Sequence, residues 1–172
     1  LVGASMASET TAAATGAVGV VRRDSMAMKP FAGYNFADYF AHWLSFDKPG
    51  AKLPSIFHVN WFRKDADGKF LWPGFGDNLR VLEWMLRRVE GSAGAVETPI
   101  GRLPKRGDIN TEGLDIAPGA LDALLDVDAE GWRRELEAIG DYLGEFGERT
   151  PPALLAEQRR VAAALADQAA VA

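Results

Sequence analysis

Side chains able to do covalent or acid-base chemistry are sparse in this 172-residue chain. It has no cysteine, which removes thiol nucleophiles, thiolate metal ligands and disulfides. The phosphate-cradling pattern G-x-x-x-x-G-K-S/T is missing, because Gly68-Lys69 is followed by Phe70 and offers no hydroxyl to a magnesium ion. The two histidines, His42 and His58, belong to different predicted elements and match no metal-ligand spacing. His42 lies between Phe40 and Trp43 of a predicted helix, where a satisfied core histidine is the expected role, and His58 in a predicted strand is read the same way. No Ser/His/Asp set and no G-x-S-x-G elbow occurs. The chain alone does not read as a complete enzyme.

What it does contain is a run of flat rings. Residues 31–84 hold 14 of the 17 aromatic residues, and within them the stretch from His58 to Asn78 alternates rings with turn residues. Phe62, Phe70 and Phe75, with Trp61 beside them, have the chemistry of a stacking platform, in which each aromatic face is worth about 1–3 kcal/mol against a base. Gly74 and Gly76 flank Phe75 and would let the backbone pass close to a ligand ring. Asn78 carries both a donor and an acceptor, the pair needed to read the edge of a base. The same spacing suits a tight aromatic mini-core, and spacing alone leaves both readings open.

The elements that position these residues follow from periodicity. Residues 7–19 are small and polar apart from Val18, which reads as a surface loop or a loop that moves; Val18 to Val21 then reads as a strand ending in Arg22-Arg23-Asp24. Phe36, Tyr39, Phe40 and Trp43 form a helical stripe entered from Asn35 and closed before Pro49-Gly50. Ile56 to Phe62 is expected as a strand, Asp65-Ala66-Asp67-Gly68 as a turn, and Phe70-Leu71-Trp72 as a brief second strand. From Asp77 the period turns helical, with Val81, Leu82, Met85 and Leu86 on the apolar side, Arg80, Arg87 and Arg88 opposite, Asp77 or Asn78 as cap, and an end near Gly91. Residues 110–172 read as packing helices, one carrying Trp132, Leu136, Ile139 and Leu143 and another following Pro151-Pro152.

Bulk composition agrees with a folded domain: 48% hydrophobic and 25% charged residues exclude a disordered, collagenous or low-complexity chain. A chain of this length buries roughly 70% of its unfolded-state surface, enough for a core without staples. The formal charge of −5 disfavours phosphate-rich polymers as partners, although Arg63, Lys64 and Lys69 beside the rings keep single-stranded nucleic acid as a weak option. No apolar run approaches the ~18 residues of a bilayer span. Leu1 to Met6 is expected to be an interior strand of a larger protein rather than a signal peptide, and the absence of targeting signals and cysteines points to the cytoplasm.

The segments GASMASETTAAA at 3–14, MAMKPFAGYNFADYFAHWL at 26–44, KLPSIFHVNWFRKDADGKFLWPGFGDN at 52–78, RVLEWMLRR at 80–88 and TPIGRLP at 98–104 together resemble the carboxyl-terminal portion of GTP-dependent phosphoenolpyruvate carboxykinase over essentially the whole chain. The resemblance implies an α/β fold, with residues 1–172 forming the C-terminal part of a larger mixed-sheet nucleotide-binding domain whose own C-terminal half is helix-rich. It implies that Phe62, Phe70 and Phe75 enclose guanine, with Trp61, Gly76 and Asn78 contributing. It also implies that the loop at 8–16, including Ser8, Glu9, Thr10, Thr11, Ala12 and Ala13, is a mobile lid whose closure excludes water from the active site. Ala7 stands where some relatives have Arg, and Ser25 where Pro is usual, so hinge detail does not transfer.

The resemblance further implies a gluconeogenic lyase, a decarboxylase and kinase in one, that interconverts oxaloacetate plus GTP with phosphoenolpyruvate, CO₂ and GDP. It implies Mn²⁺ and Mg²⁺ as metal ions, no nucleic acid or membrane partner, and a monomeric complete enzyme. The family's phosphate loop, manganese ligands and carboxylate-binding arginines have no counterpart in these residues, so no metal ligand and no catalytic residue beyond the lid is assigned, and the missing amino-terminal part is the expected partner. The alternative is a truncated, non-catalytic nucleotide-binding or self-associating module.

Overall fold

A computed structural model describes residues 1–9, 16 and 20–171. In chain order the elements are α1 (Val2–Ser5), β1 (Ala7–Glu9), β2 (Val21–Arg23), α2 (Phe36–Leu44), α3 (Asn78–Val89), β3 (Val96–Thr98), β4 (Gly101–Leu103), α4 (Ala120–Leu125), α5 (Ala129–Gly144) and α6 (Pro152–Val171), joined by several 3-10 turns. They sort into two compact units, one of residues 1–53 with 129–172 and one of residues 54–128. The stretch 110–172 is therefore divided between them.

In the first unit, Asn35 starts α2 by accepting the Ala37 N–H at 2.9 Å on its side-chain oxygen, the sequence-expected cap. The helix buries Phe36, Ala37 and Phe40. Phe40 meets Phe146 edge to face at 5.3 Å, and Phe146 meets Tyr142 at 5.1 Å, geometry that aligns ring edges with ring faces. Leu136, Ile139, Tyr142 and Leu143 form the buried stripe of α5, opposite Leu154, Val161 and Leu165 of α6. The two helices approach closely at Gly140, where a Cβ would come within 3.3 Å of the Gln158 amide nitrogen. Gln158 uses that nitrogen to bond the Leu136 carbonyl at 2.9 Å.

Two expectations fail in this unit. Leu1 to Met6 is not a strand but carries one helical turn, in which the Ser5 N–H and hydroxyl both donate to the Leu1 carbonyl; β1 pairs with β2 alone, leaving these residues no ladder. His42 is exposed rather than buried, its ring edge against Phe46 at 5.0 Å, because the buried stripe of α2 runs through Phe36, Ala37 and Phe40 and turns His42 and Trp43 to solvent. Val18 lies outside the described residues, and the strand begins at Val21, with Ala7 opposite Arg23 and Glu9 opposite Val21.

Between β2 and α2 the chain holds Met26 and Ala27 at φ of 55° and 54°, the left-handed region that L-residues avoid at roughly 1–2 kcal/mol each. The neighbours that enforce it are buried. Asp24 accepts the Lys29 N–H at 3.0 Å and the Ser8 hydroxyl at 2.8 Å. Ser25 donates to the Ala4 carbonyl, so the Tyr142 hydroxyl, 2.6 Å away, donates to Ser25.

The second unit is built on Trp72, Trp84, Ala93 and Ile109, with Trp61, Val81, Met85, Leu114 and Leu124 packed around them. Along α3 the buried line is therefore Val81, Trp84 and Met85. Leu82 and Leu86, expected on the apolar side, are exposed together with Leu79 and Val89, because the volume of Trp84 sets which face turns inward. Ile56 to Phe62 is not a strand: Ile56 is exposed, residues 51–60 form no regular element, and the pairing here is one isolated bridge, Lys64 with Phe70. The exposed His58 is thus not a buried structural residue. The Asp65 turn stands as expected, its carboxylate accepting the Asp67 and Lys69 N–H groups at 3.0 and 2.8 Å while Gly68 takes φ +80°. A second hairpin pairs β3 with β4. The described residues hold two separate two-stranded sheets.

Candidate functional site

The aromatic stretch is positioned by the core of the second unit rather than forming it. Trp72 is buried and its indole N–H donates to the Asn78 side-chain oxygen at 2.9 Å. Because an indole nitrogen only donates, this bond fixes the amide: the oxygen faces Trp72, and the NH₂ group is left to donate elsewhere. Trp61 leans on Trp72 at 6.3 Å and is half-buried, so it forms a wall continuous with the core. Trp72 was not singled out by the sequence reading, since nothing in its spacing shows that its N–H reaches six residues ahead.

Phe62 and Phe70 come together edge to face, centroids 6.1 Å apart, both largely exposed. The turn at Asp65 folds the chain back so that the two rings meet, with the Leu71 N–H bonding the Arg63 carbonyl at 2.9 Å. The Lys64 ammonium lies 5.0 Å from the Phe70 ring centroid, a cation over a π face. Arg63 turns the other way and donates to the Asp126 carbonyl at 3.0 Å. A cleft of about 200 Å³ borders Phe70, lined also by Asp65, Lys69, Pro73, Asp115 and Ile116.

Phe75 stands apart from this pair, 93% exposed. It follows Gly74, whose φ of +122° is a conformation only glycine adopts without strain. Gly76 has ordinary φ and no protein atom within 4 Å of where its Cβ would be, so neither backbone strain nor packing calls for glycine there. The helix that follows is anchored by Arg80, which bonds Asp77 and the Asn110 and Glu112 carbonyls, each at 2.9 Å. Asp77 precedes the first helical residue but makes no side-chain capping bond; its carboxylate is engaged by Arg80 instead.

Of the residues expected to act together, the structure thus joins Phe62 to Phe70 and Asn78 to Trp72, and leaves Phe75 extended into solvent beside them in sequence. The lid residues divide as well. Ser8 and Glu9 lie in β1, with the Ser8 hydroxyl on Asp24, whereas Thr10, Thr11, Ala12 and Ala13 lie outside the described residues. Among the described residues no group of three or more His, Cys, Asp or Glu side chains is placed to hold a metal ion, and no helix is long and apolar enough to cross a membrane. What the arrangement offers chemically is ring faces, a fixed amide donor and an unfilled approach to the backbone at Gly76, the chemistry that a flat heterocycle would use.

Comparison with known proteins gives a consistent result. Residues 1–164 match the family described as the phosphoenolpyruvate carboxykinase C-terminal P-loop domain. The chain is 55% identical over 157 residues to the phosphoenolpyruvate carboxykinase (GTP) of Renibacterium salmoninarum, covering 90% of this chain and 26% of that protein. It is 53% identical over 162 residues to that of Chlamydia trachomatis, covering 94% of this chain and 27% of the relative. With the enzyme of the same name from Neocallimastix frontalis it shares 54% identity over 172 aligned residues, 96% of this chain and 28% of the relative. The chain thus spans about a quarter of the length of these relatives.

Proposed function

The chain belongs to the family of the phosphoenolpyruvate carboxykinase C-terminal P-loop domain, and from that premise we propose that it supplies guanine recognition and an active-site lid to a GTP-dependent phosphoenolpyruvate carboxykinase. The reaction is the conversion of oxaloacetate and GTP to phosphoenolpyruvate, GDP and CO₂, a gluconeogenic step in a cytoplasmic setting. The observation that carries the reading is the bond from Trp72 to Asn78. It leaves the amide NH₂ as the group that donates, and guanine presents a carbonyl oxygen where adenine presents an amino group. Stacking on Phe62, Phe70 and Phe75 holds any purine; the amide distinguishes guanine. Trp61 closes the side of the site nearest the core, and the open space at Gly76 admits the ring close to the backbone.

In this account the chain's own residues bind, orient and exclude water. The loop at residues 8–16 acts as the lid; its first residues lie in β1, which pairs with β2, and the Ser8 hydroxyl donates to Asp24 just beyond β2. Mn²⁺ and Mg²⁺, which the family reading implies, find no ligand set among the described residues. The phosphate loop and the groups that hold oxaloacetate are assigned to the part of the relatives' length that this chain does not span.

Phe75→Ala tests the stacking role. The side chain is almost fully exposed and touches no other ring among the described residues, so its loss leaves the fold intact. We expect GDP binding to the 172-residue chain, followed by calorimetry, to weaken about tenfold, the loss of one stacking face. Unchanged affinity would remove Phe75 from the site.

A further inference from the structure

Three cations of the first unit gather at one cleft. The chain as a whole is at −5, yet an open cleft of about 350 Å³ is lined by Arg22 and Arg23 of β2, Lys29 and Pro30 of the following turn, Tyr142 of α5 and Glu145 just beyond it. The three cations differ in what already holds them.

Arg23 is held through three of its five donors. Its guanidinium meets both carboxylate oxygens of Glu135 at 2.7 and 3.0 Å and donates to the Ser5 carbonyl at 2.7 Å. That fork geometry makes it a fixed wall. Lys29 is held loosely, 3.4 Å from Glu145, with its ammonium 4.8 Å from the Tyr142 ring centroid and 5.5 Å from that of Phe146. Arg22 is exposed, and its side chain makes no ion pair or hydrogen bond among the described residues. With Glu135, Glu145 and the buried Asp24, which bonds the Lys29 N–H and the Ser8 hydroxyl, set against the three cations, the charges balance, and what is left over is the donor fork of Arg22 and two donors of Lys29. The Tyr142 hydroxyl is occupied by Ser25, so that residue contributes only its ring.

We propose that this cleft is a binding site for a small oxyanion of two or more charges, a phosphate group or a polycarboxylate, held by Arg22 and Lys29 against the wall of Arg23 and Tyr142. An arginine fork matches two oxygens of either group, and a lysine adds a point charge free to follow the ligand. Glu145 competes with the ligand for Lys29, so removing its charge strengthens binding. Every residue involved belongs to the first unit, and the site stands or falls independently of base recognition in the second.

The test is a titration of the full 172-residue chain with inorganic phosphate, and separately with citrate, at constant ionic strength made up with sodium chloride. Nuclear magnetic resonance follows the Arg22 side-chain N–H and the Lys29 backbone N–H. The expected result is a saturable shift of both signals, weakened about tenfold in Arg22→Gln and tightened severalfold in Glu145→Gln. Tighter phosphate than citrate identifies a phosphorylated ligand, and the reverse order a polycarboxylate. A shift that never saturates, one that chloride alone reproduces, or equal midpoints in wild type and both variants would overturn the site.

Discussion

In the proposed reading, Asn78 is the residue on which base selectivity turns. Its oxygen is engaged by a donor that cannot reverse its role, and its nitrogen is therefore a donor in any complex. Asn78→Asp keeps the shape and still accepts the Trp72 N–H, but has no donor to offer. The expected outcome is a fall of about tenfold or more in the ratio of GDP to ADP affinity, because a site built to hydrogen-bond one group discriminates through the bond it loses. Parallel titrations of the two nucleotides check it. An unchanged ratio would place base reading elsewhere. The types of these site residues were legible in the sequence, but their partners were not: a ring or an amide is visible in the chain, whereas the indole that orients the amide is a product of the fold. The histidines show the same limit, since both were expected to be buried and both are exposed.

At the scale of elements, what could be read were those with strong local signals. Asn35 before an aromatic stripe gives α2, the period from Asp77 gives α3, and Pro151-Pro152 separates α5 from α6. What failed depended on partners. A β-rich run from Ile56 to Phe62 needs a neighbouring strand, and the chain supplies one bridge past its end. On the inward face of α3, Val81 and Met85 turn in as expected but Leu82 and Leu86 do not, because one large ring, Trp84, outweighs two leucines. The β3–β4 hairpin was missed although Gly101 at φ +131° marks its return. No pattern in the sequence marks the left-handed pair Met26 and Ala27, which is imposed by bonds from Asp24 and Ser25. Ala27→Gly relieves a side chain held at φ 54°. Thermal unfolding of the 172-residue chain should show it stabilised by about 1 kcal/mol, where glycine for alanine within a regular helix costs a similar amount. A lower melting temperature would mean that the turn carries no strain.

On the scale of the whole molecule, the family was legible from the segments at 3–14, 26–44 and 52–78, and the match of residues 1–164 agrees with it. The division into two units was not, since the first is made from both ends of the chain and the second from its middle, an arrangement that local periodicity does not encode. The residues proposed to bind the base all fall within the second unit, residues 54–128, so the account makes guanine recognition a property that this chain carries by itself. The direct measurement is calorimetric titration of the 172-residue chain with GDP and, separately, with ADP. The account predicts saturable binding of GDP with ADP at least about tenfold weaker. Equal affinity for the two nucleotides, or no binding of either, would contradict it.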